Sequence, residues 1–120
     1  MTEYHHRTVA GRRLAWEVAK LRDASASLPV DEVALASIFE FDEVYWFDEE
    51  HRPTCRAVVE HARRIAAADT SDPILLSHDG WVVDGMHRVA RAILDGNATI
   101  AARRLASYPP PDRESAAGGG

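Results

Sequence analysis

A single cysteine, Cys55, stands among the 120 residues, which excludes an intramolecular disulfide and any Cys-x-x-Cys metal or redox pair. Lysine is as scarce: Lys20 is the only one, and every other basic side chain is arginine or histidine. Schiff-base chemistry is therefore not expected away from Lys20, whereas arginine suits planar, bidentate recognition of phosphate or carboxylate. No apolar run approaches the roughly 20 residues of a membrane span. The opening MTEYHHRTVAGRR carries charge without the apolar core of a secretion signal, so the cytoplasm is the expected compartment and no membrane contact is expected. Basic charge is also in deficit, with 14 Lys and Arg against 19 Asp and Glu and a net charge of -5. A general DNA surface works by neutralising phosphates, and this balance disfavours one. The six histidines lack ligand spacings such as His-x-x-x-His, so no metal site is expected. His5 and His6 fall in a loose start, and His61 and Cys55 fall on different faces of one helix.

What is present is an ordinary globular balance, 46% hydrophobic and 28% charged, in a chain of single-domain length. The expected organisation is a flexible start over 1–7, a domain over 8–107 and a disordered Pro- and Gly-rich tail over 108–120. Leu14, Val18 and Leu21 recur at helical spacing, which predicts a helix over 8–22. VDEVALASI, 30–38, alternates as a strand buried on both faces. The aromatics of FEFDEVYWFDEE (Phe39, Phe41, Tyr45, Trp46, Phe47) either fill one end of the core or offer a ring on which a base could stack. A helix follows to about Ala68, capped by Thr54, with Val58, Ala62 and Ile65 as its buried stripe and Cys55 as a buried, inert thiol. PILLSHDGWVVDG reads as a hairpin turning at His78-Asp79-Gly80. Met86, Val89, Ala90, Ile93 and Leu94 then make the apolar face of a helix that Gly96 ends, and a last strand runs from Thr99 to Leu105.

The turn between hairpin and helix, Asp84-Gly85-Met86-His87-Arg88, raises the functional question. A helix N-terminus presents unpaired N-H groups and partial positive charge, and so binds anions. Cations in that first turn are unfavourable by about 0.3–1 kcal/mol each. His87, Arg88 and, one turn later, Arg91 crowd it nonetheless, which makes better sense with an anion among them. The alternative is a simple capped helix, with Asp84 as cap and the basic residues paired to the acids of 40–50.

The apolar hairpin ILLSHDGWVVDG running into MHRVARAILDG, with the final ATIAARRL strand, resembles the ParB/sulfiredoxin-like superfamily over roughly 28–106. The resemblance implies an α+β fold, a mixed sheet with helices packed on it. It also implies a nucleotide (ATP, ADP or CTP with Mg2+) held at the turn. Met86 stands where sulfiredoxins carry their catalytic cysteine, so sulfinic-acid reduction is excluded. The partition branch has a Gly-Glu-Arg-Arg box and a DNA-reading helix-turn-helix, neither of which follows here. The free-serine kinase branch, with Asp-Gly-His-His-Arg, matches best. Its implied roles are a general base at Glu40 (Glu43 competing), Asp84 orienting the transferred group or holding Mg2+, and phosphates cradled by Gly85, Met86, His87 and Arg88 with Arg91. Arg52 and Arg56 could add charge nearby. Three functions stay open: a small-molecule phosphotransferase or nucleotide hydrolase using Glu40, Asp84 and His87 on a hydroxyl-bearing substrate; a non-catalytic nucleotide sensor acting on a protein partner or as a homodimer; and a DNA-associated protein of the partition type, which the charge and the missing helix-turn-helix disfavour.

Overall fold

Two left-handed residues decide how the chain begins. In the computed structural model, which describes residues 2–116, Ala10 (φ 51°) and Gly11 (φ 76°) make a two-residue turn. Positive φ at both central positions suits the right-handed twist of a tight hairpin. The element order is β1 (Tyr4–Val9), β2 (Arg12–Glu17), α1 (Val18–Ser25), β3 (Asp31–Ala34), α2 (Cys55–Ala67), β4 (Ile74–Leu76), β5 (Val82–Asp84), α3 (Met86–Leu94), β6 (Thr99–Arg104) and β7 (Arg113–Ala116). Short 3-10 turns occupy Leu35–Ser37 and Phe39–Asp42. The protein is an α+β domain with two sheets.

The first sheet is antiparallel in the order β1-β2-β7, with Val9 opposite Arg12 and Arg13 opposite Ser115. It replaces three expectations. The helix over 8–22 shrinks to α1, because Leu14 and Trp16 alternate on one face of β2 and join the core beside Leu21. The loose start is a strand from Tyr4. Within the expected disordered tail Arg113–Ala116 form strand β7, while 117–120 lie outside the described residues. The C-terminal segment is fastened by aromatic contacts: Tyr108 stacks on Trp16 at 4.5 Å, and Trp16 Nε1 donates to the Pro109 carbonyl at 2.8 Å.

The second sheet has the order β3-β6-β4-β5, with β4 parallel to β6 and the other neighbours antiparallel. Both its faces are covered, which is why ILL and VV are continuous apolar runs. Ile74, Leu76 and Val82 pack with Met86 and Val89 of α3. Leu75 and Val83 turn the other way, toward Trp16, Leu21 and Leu105. The hairpin, its glycine turn (Gly80, φ 91°), the Thr54 cap (Oγ1 accepting from Ala57 N at 3.1 Å) and the stop at Gly96 (φ 78°) match the sequence expectations.

Other expectations shift. The strand over 30–38 is pairing-competent only to Ala34, and it is an edge strand with Asp31 and Glu32 exposed, as edges protected from self-association are. Leu35 and Ile38 still reach the core, from the 3-10 turns. The inward stripe of α2 is Ala57, His61, Ile65 and Ala68, one position out of phase with Val58 and Ala62; Val58, Val59 and Cys55 are exposed. In α3 the buried set is Met86, Val89, Ala90 and Ala92, and Leu94 is 74% exposed. The aromatics do not fill a core end: Phe39, Phe41 and Tyr45 are exposed, and Trp46 packs half-buried against the core. No helix among the described residues is long and apolar enough to cross a membrane.

Candidate functional site

A groove of about 1210 Å³ runs between α2, the start of α3 and the 45–54 segment. It is lined by Asp84, Gly85, Met86, His87, Arg88 and Arg52 of the residues expected at the site, and by Trp46, His61 and Arg64 besides. Glu40, Glu43, Arg56 and Arg91 do not line it.

The turn owes much of its composition to the fold. Gly85 has φ 117°, and a Cβ there would sit 2.6 Å from Ile74 Cγ2. The close approach that requires glycine is therefore made by the chain itself, not by a ligand. Arg88 is likewise committed: Nη1 donates to the carbonyls of Asp72 (2.9 Å) and Pro73 (2.7 Å), and Nη2 pairs with Asp84 Oδ2 at 2.9 Å. Arg22 Nε approaches the same Asp84 oxygen at 3.4 Å. Arg91 pairs with Asp95 and donates to the Ala66 carbonyl, tying α3 to the end of α2. The simple-cap alternative is corrected too. Gly85, not Asp84, is the N-cap, without a side-chain bond, and the arginines pair with Asp72, Asp84 and Asp95 rather than with the acids of 40–50.

The α3 ladder opens with Val89 N donating to Gly85 O at 3.0 Å. Among the described residues no acceptor is found for the N-H groups of Met86, His87 or Arg88, the orphan donors expected at a helix start. Met86 contributes only that backbone group, since its side chain is in the core.

Above this turn lies a feature that sequence reasoning missed. His61 Nδ1 and His87 Nε2 are 2.8 Å apart, and their rings are within 16° of parallel. The Trp46 indole covers both, its centroid 4.6 Å from each imidazole, and Phe47 meets His61 edge-on. Burial, then His61 and Arg64, push His87 down to about 4. Burial and Arg64 lower His61 as well. Both rings are neutral near pH 7, so one donates and the other accepts. The signal that could have found the pair is the phase of α2: His61 recurs with Ala57 and Ile65 at a spacing of four.

The charges are mixed but not evenly free. Arg52 and Arg64 have no ion-pair partner among the described residues. On the acidic side, Asp72 and Asp84 are held by arginines, Asp48 by His51, and Asp69 by Ser71. Glu3 and Glu50 also line the groove and have no ion-pair partner among the described residues.

Glu40 serves the sheet edge. Its Oε1 accepts from Val82 N at 2.5 Å, and Tyr45 Oη donates to Val82 O at 2.9 Å. Together they satisfy the outward backbone groups of edge strand β5 where a further strand would otherwise pair. Burial raises the Glu40 carboxyl, opposed by the Val82 bond and Arg7.

Magnesium fits this site poorly. It is usually held through one or two carboxylates, and Asp84, the one assigned to it by the resemblance, and its neighbour Asp72 each give one oxygen to both Arg22 and Arg88. Among the described residues no group of three His, Cys, Asp or Glu is placed to hold a metal ion.

Fold and site together define a small α+β domain whose main groove joins an open helix start, two free arginines and a histidine pair under a tryptophan. No family model matches the chain, and no curated protein or solved structure is significantly similar to it.

Proposed function

We propose that the groove binds a phosphate-bearing ligand of the nucleotide class, and that the chain works as a nucleotide-responsive binding module in the cytoplasm. The observation that carries this reading is that one groove is lined both by the start of α3, with its orphan N-H groups, and by Arg52 and Arg64, two cations without a carboxylate partner among the described residues. Backbone donors and guanidinium groups are the usual phosphate ligands. The resemblance of the 73–105 segment to ParB/sulfiredoxin-like proteins points the same way, and ATP, ADP and CTP are the ligands it suggests.

The binding reading is preferred to phosphoryl transfer because a general base must reach the proton it removes, within about 2.6–3.2 Å. Glu40, the implied base, is spent on Val82 and lies outside the groove. Asp84 is held by two arginines. A transferase reading would fall to His87, which is neutral near pH 7 and lines the groove.

Isothermal titration with ATP, ADP and CTP tests the reading. Binding tighter than about millimolar, worth roughly 4 kcal/mol, is expected for at least one, with loss in Arg52→Glu/Arg64→Glu. No binding by any of the three, or full binding by that variant, contradicts it. Turnover of ATP in the presence of hydroxyl acceptors would return the protein to the transferases.

A further inference from the structure

We infer that His61 and His87 act as one proton-sharing unit that takes up a proton when a polyanion enters the groove, so that the groove selects dianionic phosphate over monoanionic ligands. This rests on the phosphate reading above. The geometry is the warrant. With the two nitrogens 2.8 Å apart in nearly coplanar rings, one hydrogen fits on the line between them. A neutral pair then has one outer N-H and one bare outer nitrogen. An arriving proton can occupy the bare nitrogen without breaking the inner bond, and the pair becomes a single cation that donates outward at both ends.

Among the described residues no carboxylate is bonded to either ring to hold that cation, although Glu3 and Glu50 also line the groove. Arg64 of α2 faces the pair, and Trp46 and Phe47 cover it with hydrocarbon. Arg88 and Asp84 from the α3 turn neutralise each other, with Asp72 beside them. In the 45–54 segment Asp48 is taken by His51, leaving Arg52 free; Asp69, after α2, is bonded to Ser71. No carboxylate among the described residues bonds either ring, and the pair stays neutral, with His87 at about 4. A ligand of charge -1 leaves one of the two groove cations, Arg52 or Arg64, uncompensated beside the pair. A ligand of charge -2, as a phosphate group near pH 7 is, offsets both and lifts the repulsion that keeps the pair neutral.

Imidazole 15N spectra of the full chain, followed from about pH 4 to about pH 8, read the pair directly. In the free protein the two rings are expected to titrate together, His87 near 4, and Arg64→Gln, an exposed substitution, is expected to raise both midpoints. Millimolar sodium pyrophosphate is expected to raise the midpoints to the ordinary histidine range, with affinity tightening by up to about tenfold per pH unit on acidification. Sodium acetate at the same concentration is expected to leave them in place. If pyrophosphate shifts the amides of Met86 and His87 while the histidine midpoints stay, the proton-sharing inference falls and the phosphate reading stands. If acetate raises them equally, the selectivity falls. If neither pyrophosphate nor ADP moves those amides, the phosphate reading itself falls, and this inference with it.

Discussion

Gly85→Ala is the substitution that most sharply separates a turn shaped by the fold from a turn shaped by its ligand. The new Cβ would lie 2.6 Å from Ile74 Cγ2 and 2.9 Å from Ile74 Cβ, on a backbone with φ 117°. Ile74 is wholly buried at the centre of the α3-facing core, so it has little room to retreat. Forcing a side chain into a left-handed conformation costs about 1–2 kcal/mol, and overpacking a tight core about 1–3 kcal/mol. The sum, about 2–5 kcal/mol, is a large part of the stability of a domain this size. Urea unfolding should show a midpoint lower by about 1–2 M at constant slope. Ile74→Val keeps Cγ2 and should give no relief. Ile74→Ala removes Cγ2, so in a double-mutant cycle with Gly85→Ala the pair should be less than additive by about 1 kcal/mol or more. A Gly85→Ala cost below about 0.5 kcal/mol, or strict additivity with Ile74→Ala, would refute the steric account and return Gly85 to the ligand.

Three further outcomes follow from the same contacts. Arg88→Met should cost about 3–5 kcal/mol in urea unfolding, since it strips a largely but not fully buried guanidinium from Asp84 and from two carbonyls; a loss under about 1 kcal/mol would show that the bonds are not formed. His5 is buried against Trp16 and Tyr108, and burial, then Arg7, lower its pKa to about 4. The unfolded chain therefore binds a proton near pH 6.5 that the folded one does not, and stability should fall as pH drops from 6.5 toward 4, by up to about 1.4 kcal/mol per pH unit. Chemical unfolding of wild type and His5→Gln across that window checks it, and an unchanged slope in the variant contradicts it. Ala10→Asn should stabilise the first hairpin by about 1 kcal/mol, because Asn tolerates the left-handed position better than Ala; a loss of thermal stability would speak against the turn.

The elements that could be read from sequence are those whose signals are local. Thr54 before an apolar helix, Gly80 between two apolar strands and Gly96 after α3 each declare themselves within a few residues. The first hairpin does not, because Ala10-Gly11 lacks the Asn or Asp that usually marks such a turn, and Leu14, Val18 and Leu21 imitate a helical stripe while straddling the junction of β2 and α1. The C-terminal strand was hidden by distance: Trp16 finds the Pro109 carbonyl 93 residues away. At the site, the 84–88 turn was legible as a place, but the roles of its side chains were not. Arg88 looks like a phosphate ligand until Asp72 and Pro73 are folded beside it. Glu40 looks like a base until Val82 claims it. His61 looks scattered until α2 rests its inward face toward α3.

A crystal structure of the protein with millimolar ADP decides whether phosphate is received at the start of α3. Phosphate oxygens are expected within about 3 Å of the Met86 and His87 amide nitrogens, with Arg52 or Arg64 turned onto them. A nucleotide ordered elsewhere on the surface, or a groove that remains without ADP while the crystals diffract well, would contradict it.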